Sequence, residues 1–370
     1  MPVLCKPAVA VPEHVVTLGE SLDLARRLYA DNKHLDLVLR LVANTGVESR
    51  HFIQPLEEVL SHPGVDRRMK LYEANAKQRA PSVVLQALAN AGLDVDDIDL
   101  IVYVSCTGFM MPSMTAWLIN EMGFRSDTRQ LPIAQLGCAA GAAAVNRAHD
   151  FCLAYPGDNA LIVACEFCSL CYQPTDDDIG SLLANGLFGD AVAAAVVREG
   201  PADGVRLERN ASHLIPHTED WISYAVKSTG FHFQLDKRVR ATMEPLAPVL
   251  ERLARHHGWD AAALDFYIIH AGGPRILDDL CRLLGVASEQ FRYSRATLRE
   301  YGNIASAVVL DAYRRLCEDT SEGTSGGPPA GRTLIAGFGP GITAEMSLGT
   351  YVRQATRRAG TMPLVIAGAT

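Results

Sequence analysis

The sequence predicts an α/β protein made of two duplicated βα-layered halves, with sheets sandwiched between helices in an αβαβα order. Two observations predict it. First, short and nearly continuous apolar runs alternate with helical patterns, at 100–104, 131–136, 160–164 and 191–197, then at 266–269, 334–336 and 342–352. Runs of that kind read as strands buried on both faces. Second, the two halves repeat. The segment D-L-I-V-Y-V-S-C-T-G at 99–108 has a partner in D-F-Y-I-I-H-A-G at 265–272, and G-C-A-A-G-A at 137–142 has one in G-N-I-A-S-A at 302–307. Cys106 and Cys138 stand 32 positions apart, His270 and Asn303 33, so both matches keep one register. An internal duplication accounts for that agreement. It divides the chain into an N-terminal half, 1–222, and a C-terminal half, 223–370.

Taken in order, residues 8–12 read as a strand running into a loop at Pro12. Thr17 and Glu20 form a T-x-x-E capping box, and Leu18, Leu22, Ala25 and Tyr29 then recur on one helical face. Polar helical segments continue to about Gly92, through Arg50 and a charged run near Arg67. The strand-and-helix alternation begins after that. The Ser-, Gly- and Pro-rich stretch 318–331 reads as an exposed loop.

Composition narrows the function. Over 370 residues the net charge is -8, the wrong sign for a nucleic-acid binder. No apolar run reaches the ~18–20 residues of a membrane span, and the N-terminus lacks a signal-peptide pattern. Nine cysteines is an odd count in a chain too long to need disulfide stapling, so reduced thiols in a cytoplasmic protein are expected.

Three residues carry the chemistry. Cys138 follows an apolar strand and opens an Ala/Gly-rich helix, whose positive end would lower the thiol pKa while small neighbours let backbone N–H groups reach a carbonyl. The competing reading is a buried structural cysteine. His270 ends a buried strand before a Gly-Gly-Pro turn, the place where open α/β sheets hold ligands. The duplication sets it and Asn303 opposite Cys106 and Cys138. Asn303 serves equally as a helix N-cap or as a second amide donor to an oxyanion.

Other motifs fall away. Cys165, Cys168 and Cys171 form C-x2-C-x2-C, but the fourth cysteine of an iron–sulfur motif is missing and no second C-x2-C offers zinc a partner. Core and cavity lining is the better reading. Pro216 spoils a helical metal pair of His213 and His217, and His256-His257 reads as a solvated helix end. G-F-G-P-G at 337–341 lacks the third glycine of a dinucleotide fingerprint and reads as a turn that shapes a pocket.

Together, Q-L-G-C-A-A-G at 135–141, H-A-G-G-P at 270–274, Y-G-N-I-A-S-A at 301–307 and G-F-G-P-G at 337–341 resemble the motifs of type III polyketide synthases, the chalcone synthase relatives. The resemblance spans essentially the whole chain. It implies a thiolase-like fold, a homodimer, malonyl-CoA as substrate, and no cofactor, metal or carrier protein. By position it makes Cys138 the nucleophile and His270 and Asn303 the groups that polarise the thioester carbonyl. Phe188 and Phe233 become the aromatic gate between CoA tunnel and cavity. Cys106, Cys168, Cys171, Tyr224 and Ala305 become cavity residues, and Met111 the residue that reaches into the partner subunit. Arg50 is a candidate for the CoA phosphates at a basic tunnel mouth.

V-S-C-T-G-F-M-M-P at 104–112 and C-E-F-C-S-L-C-Y-Q-P-T at 165–175 are similar to the bacterial, tetrahydroxynaphthalene-forming branch. That similarity implies a malonyl-primed pentaketide closing to 1,3,6,8-tetrahydroxynaphthalene. Ala271 and the cysteines depart from the plant pattern of Pro and Thr, against chalcone-type aromatic starters. The alternatives are an acyl-CoA starter giving a pyrone or resorcinol, a ketoacyl synthase of fatty-acid initiation, a redox or metal protein built on the 165–171 cysteines, and a non-catalytic dimeric binding protein.

Overall fold

A computed structural model describes residues 1–61, 64–319 and 328–353. The N-terminal half runs β1 (Val3–Leu4), β2 (Ala8–Ala10), β3 (His14–Thr17), α1 (Leu18–Leu28), α2 (Leu35–Ala43), β4 (Ser49–Phe52), α3 (Leu56–Val59), α4 (Gly64–Ala91), β5 (Leu100–Val104), α5 (Met114–Met122), β6 (Arg129–Ile133), α6 (Ala140–Ala154), β7 (Ala160–Phe167), α7 (Ile179–Leu187) and β8 (Asp190–Arg198). The chain continues with β9 (Gly204–Leu214), β10 (Ile222–Lys227), β11 (Gly230–Leu235), α8 (Met243–His256), β12 (Phe266–Ile269), α9 (Pro274–Leu284), α10 (Arg292–Tyr301), α11 (Val308–Glu318), β13 (Gly331–Gly339) and β14 (Thr343–Val352).

One mixed sheet runs through the molecule in the order β12-β13-β14-β9-β1-β8-β7-β5-β6, with β2 also on β8. β5 pairs in parallel with β6 and β7, and β12 in parallel with β13. The short β1 joins the halves, antiparallel to β8 on one side and to β9 on the other. α6 and α11 form the middle layer. α6 packs on β5 and β7 from one half and on β13 and β14 from the other, while α4 and α5 cover the first half from outside and α8 and α10 the second. The predicted αβαβα order is the observed one.

Local chemistry explains the elements. Thr17 accepts from the Glu20 N–H at 3.2 Å, and the Glu20 carboxylate accepts from the Thr17 N–H at 2.8 Å, closing the capping box that starts α1. β5, β7 and most of β8 are buried on both faces, as their unbroken apolar runs require. β6 is the exception: it is the edge of the sheet, and Arg129, Gln130 and Pro132 are exposed. Its apolar run predicted burial on both faces, but an edge strand has a neighbour on one side alone. Arg50 also departs from expectation, since it lies on β4, paired with β3, and not in a helix. His257 is no solvated helix end; its Nε2 sits 2.7 Å from Glu208 and its ring packs edge-on to Trp259. Within the expected loop at 318–331, residues 320–327 lie outside those described.

The repeat is visible in three dimensions. β5 corresponds to β12, and the turn at Gly137 with α6 corresponds to the turn at Gly302 with α11. Gly137 and Gly302 both take positive φ, at 51° and 70°, a region open to glycine at little cost. The copies differ beyond that point, because Ala305 also has positive φ and α11 starts later relative to its glycine than α6 does.

Candidate active site

The two repeated turns face each other, and the site forms where they meet. After β6 the chain makes a single 3-10 turn, Gly137–Ala139, and enters α6. The G-F-G-P-G segment packs against this turn. A Cβ on Gly137 would lie 2.5 Å from Pro340 Cδ, and one on Gly339 would lie 2.7 Å from the Ala139 nitrogen. Glycine is needed on both sides for the approach, and the approach fixes Cys138.

His270 follows β12 directly, and its N–H donates to the Ala336 carbonyl at 2.8 Å. Its ring is buried, with Nε2 3.3 Å from Asn303 Oδ1. The Asn303 amide is oriented by its neighbour: the Ala305 N–H donates to Oδ1 at 3.0 Å, leaving Nδ2 3.9 Å from Cys138 Sγ. Because Oδ1 can only accept, His270 Nε2 carries the proton in this arrangement. His270 Nδ1 is buried without a partner. Two neutral N–H donors result: Asn303 Nδ2 stands beside the sulfur, and His270 Nε2 is joined to the same amide through Oδ1. Asn303 is held through its backbone too, donating to the Leu187 carbonyl at 2.9 Å and accepting from the Gly189 N–H at 3.1 Å. Phe188 lies between those two residues, so the aromatic position and the amide share one backbone bridge.

Electrostatics modify the expectation for Cys138. The helix start favours a thiolate, but burial, and after it the nearby Glu166 carboxylate, push the thiol pKa up. Burial likewise pushes His270 down, to about 4. Burial thus works against charge on both groups and favours the thiol and the neutral imidazole over an ion pair.

Glu166 escaped the sequence reading, although a carboxylate inside the apolar run of β7 was the available signal. Fully buried, it gathers both halves. Oε2 accepts from the Cys106 N–H at 3.1 Å and the Thr107 hydroxyl at 2.9 Å, and Oε1 accepts from the Ser306 hydroxyl at 2.5 Å. Desolvation raises its pKa and those hydrogen bonds oppose the rise. Cys106 Sγ lies 3.6 Å from the same carboxylate.

Cys168 and Cys171 bracket a 3-10 turn after β7, and with Tyr224, Phe188 and Phe233 they line a narrow pocket. Cys138 and Cys106 do not line it. The Phe188 and Phe233 rings meet edge-on at 5.3 Å, and Tyr224 packs on Phe233 at 5.7 Å. Ala305 is buried and contributes its backbone N–H to Asn303. Met111 is 84% exposed, on the loop beyond β5. Arg50 is not placed as expected. It is buried, and its guanidinium donates to the carbonyls of Asn185 and Phe188 and to the Ser21 hydroxyl, at 2.6, 3.1 and 2.6 Å. With its donors turned inward it braces the Phe188 segment and offers nothing to a phosphate outside. Among the described residues no group of three His, Cys, Asp or Glu could hold a metal ion.

Residues 38–201 match the family model of the chalcone and stilbene synthase N-terminal domain, and 206–352 that of the C-terminal domain. The chain belongs to the chalcone and stilbene synthase family. Among members of that family it is 67% identical to the 1,3,6,8-tetrahydroxynaphthalene synthase of Streptomyces coelicolor, over 97% of this chain and 94% of the relative. It is 44% identical to the phloroglucinol synthase of Pseudomonas fluorescens, over 95% and 99%. The crystal structure of the S. coelicolor tetrahydroxynaphthalene synthase, a bacterial type III polyketide synthase, superposes with a TM-score of 0.91 at 66% identity, covering 95% of this chain and all of that one. The family's thiolase-like fold is the fold of this chain.

Proposed function

We propose that this protein is a type III polyketide synthase that condenses malonyl-CoA on Cys138 and releases 1,3,6,8-tetrahydroxynaphthalene. The observation that carries the reading is the Cys138–Asn303–His270 cluster, a half-buried thiol with an amide beside it and an imidazole on that amide, on a chain 65–67% identical to two tetrahydroxynaphthalene synthases.

Cys138 Sγ attacks the malonyl thioester carbonyl, the C–S bond to CoA breaks, and the thiol proton leaves with the departing CoA sulfur. When the bound malonyl group loses CO2, the electrons of the broken C–C bond move to the adjacent carbon and carbonyl oxygen. His270 Nε2–H and Asn303 Nδ2–H donate to that enolate oxygen. Neutral donors suit the step, because an imidazole whose pKa is about 4 donates a hydrogen bond without handing over its proton and quenching the enolate. The CoA-bound enolate of the next malonyl unit attacks the Cys138 thioester carbonyl, the bond from that carbonyl to Sγ breaks, and the lengthened chain, now on CoA, returns to Cys138; repetition gives a pentaketide that cyclises. Each malonyl unit arrives on its own CoA, so the reading needs no carrier protein.

We also infer a homodimer. β6 leaves an exposed sheet edge, and Phe109 and Met111, on the loop after the neighbouring strand β5, are 58% and 84% exposed. Unpaired strand edges and grouped apolar side chains are the surfaces a second copy covers. No helix among the described residues is long and apolar enough to cross a membrane. A cytoplasmic location fits the free cysteines.

The test is incubation with malonyl-CoA alone, followed by liquid chromatography and mass spectrometry. Tetrahydroxynaphthalene or its oxidised quinone is expected, and Cys138→Ala abolishes it. Turnover that appears only after an acyl-CoA primer is added would overturn the malonyl-primed reading.

A further inference from the structure

Beside the aromatic pair lies a chain of polar groups that the condensation chemistry does not use. His232 stands on β11, one residue before Phe233, and is 5% exposed. Its Nδ1 is 2.7 Å from Asp176 Oδ2, and its Nε2 is 2.6 Å from the Thr229 hydroxyl. A carboxylate only accepts, so Nδ1 carries the proton, and the Thr229 hydroxyl, able to donate or accept, completes the bond at Nε2. Three segments are tied at one ring: the β10–β11 turn, β11 itself, and the stretch that leads from Cys171 into α7.

β10 and β11 form a two-stranded ribbon of their own, outside the main sheet. Such a ribbon is marginal alone, so its position depends on its attachments. Gln173 donates to the Phe231 carbonyl at 3.1 Å and Ser181 to the Phe233 carbonyl at 3.2 Å. Both give to backbone oxygens. Asp176–His232 is the side-chain tether between them. Side chains alternate along β11, so His232 faces Asp176 while Phe231 and Phe233 face the other way, onto Tyr224 and Phe188. The far side of the tether reaches Phe188 too, because the Asp176 stretch runs into α7, and Phe188 is the residue that ends it.

We propose that Thr229, His232 and Asp176 are positioning residues, a latch that sets the spacing of Phe188 and Phe233 and with it the size of acyl thioester that passes. The inference rests on Phe188 and Phe233 bounding the passage to Cys138. His232 does not touch substrate. It acts through the ring next to it in sequence.

The test measures kcat/KM for acetyl-, hexanoyl- and dodecanoyl-CoA as primers with malonyl-CoA, in the full-length protein and four variants. His232→Phe keeps ring volume and removes both hydrogen bonds. Asp176→Leu removes one, Asp176→Asn keeps an acceptor for Nδ1–H, and Phe233→Ala opens the pair directly. The expected result is a change of about fivefold or more in the long-to-short primer ratio for His232→Phe and Asp176→Leu, in the direction Phe233→Ala gives, with Asp176→Asn near wild type. A uniform fall for all primers with the ratio held would show a merely structural role and overturn the latch. So would an altered ratio in Phe233→Ala alone. If Phe233→Ala also leaves the ratio unchanged, the aromatic pair does not bound the passage and the latch falls with that reading. Should His232→Phe not fold, the two Asp176 variants carry the comparison.

Discussion

Gly141→Ala tests how the two halves are set against each other at the site. Gly141 lies in the first turn of α6, where a Cβ would sit deep inside contact distance of the Ser306 carbonyl oxygen, 2.9 Å from Val309 Cγ2 and 3.0 Å from the Ser306 carbonyl carbon. Backbone cannot rotate aside as a side-chain end can, so α6 and the turn at Ser306 must separate by about 1 Å or more. Overpacking of this kind costs about 1–3 kcal/mol. The functional loss is larger in proportion. Cys138 precedes Gly141 by as many residues as Asn303 precedes Ser306, so the same separation widens the 3.9 Å gap from Cys138 Sγ to Asn303 Nδ2. A misplacement of about 1 Å is worth roughly 100-fold in rate. Urea unfolding and CoA release from malonyl-CoA measure the two effects, with Gly19→Ala as control, because a Cβ there meets only Thr17 Oγ1 at 3.9 Å. A Gly141→Ala protein with wild-type midpoint and turnover would refute the claim that this contact sets the site.

Asn303→Ala removes one of the two donors, and decarboxylation of malonyl-CoA should fall about 10²- to 10³-fold; a change below about tenfold would leave the donor role to His270. Glu166→Ala leaves the Ser306 and Thr107 hydroxyls and the Cys106 N–H without their acceptor, a loss of about 2–4 kcal/mol by urea unfolding, with Glu166→Gln milder. Asp190 predicts a pH effect. Burial raises its pKa from 3.8 to about 6, against hydrogen bonds from Ser169 and Ile53. Between pH 6 and 4 the folded protein keeps a proton that the unfolded chain releases, so this group's contribution is full below the unfolded value and is lost as pH rises through 6. Asp190→Asn lacks that term. The stability of wild type relative to Asp190→Asn should grow by about 2–3 kcal/mol on acidification from pH 6.5 to 4; a difference that stays constant would contradict the shift.

Much of this was legible in one dimension because local rules carried it. The capping box at Thr17 is a contact between near neighbours in sequence, and the repeat of Cys106–Cys138 by His270–Asn303 translates directly into two facing turns. Burial on both faces was correct for β5 and β7, whose sheet neighbours are present, and wrong for β6, whose outer side has no strand beside it. Arg50 and Glu166 fail for a related reason. Arg50 is held by carbonyls at Asn185 and Phe188 and Glu166 by Cys106, Thr107 and Ser306, all more than fifty positions away, and no local pattern distinguishes an inward-turned guanidinium or a bridging carboxylate from a surface charge. The His232–Asp176 tether spans a similar distance and was equally hidden.

The place of β1 bears on how the chain is made. Val3 and Leu4 fill the seam between β8 and β9, with the Cys5 N–H on the Val196 carbonyl, the Leu207 N–H on the Pro2 carbonyl, and the Tyr313 hydroxyl on the Leu4 carbonyl. These residues are made well before their partners, which follow only some two hundred positions later. Until β8 is made, β7 carries an open strand edge, the kind of edge that recruits other chains. An N-terminal fusion would be threaded beside that seam, and loss of the first few residues would leave β8 and β9 facing each other across an unfilled strand position. A preparation that aggregates after N-terminal trimming would have its cause at the opposite end of the molecule's chemistry from Cys138.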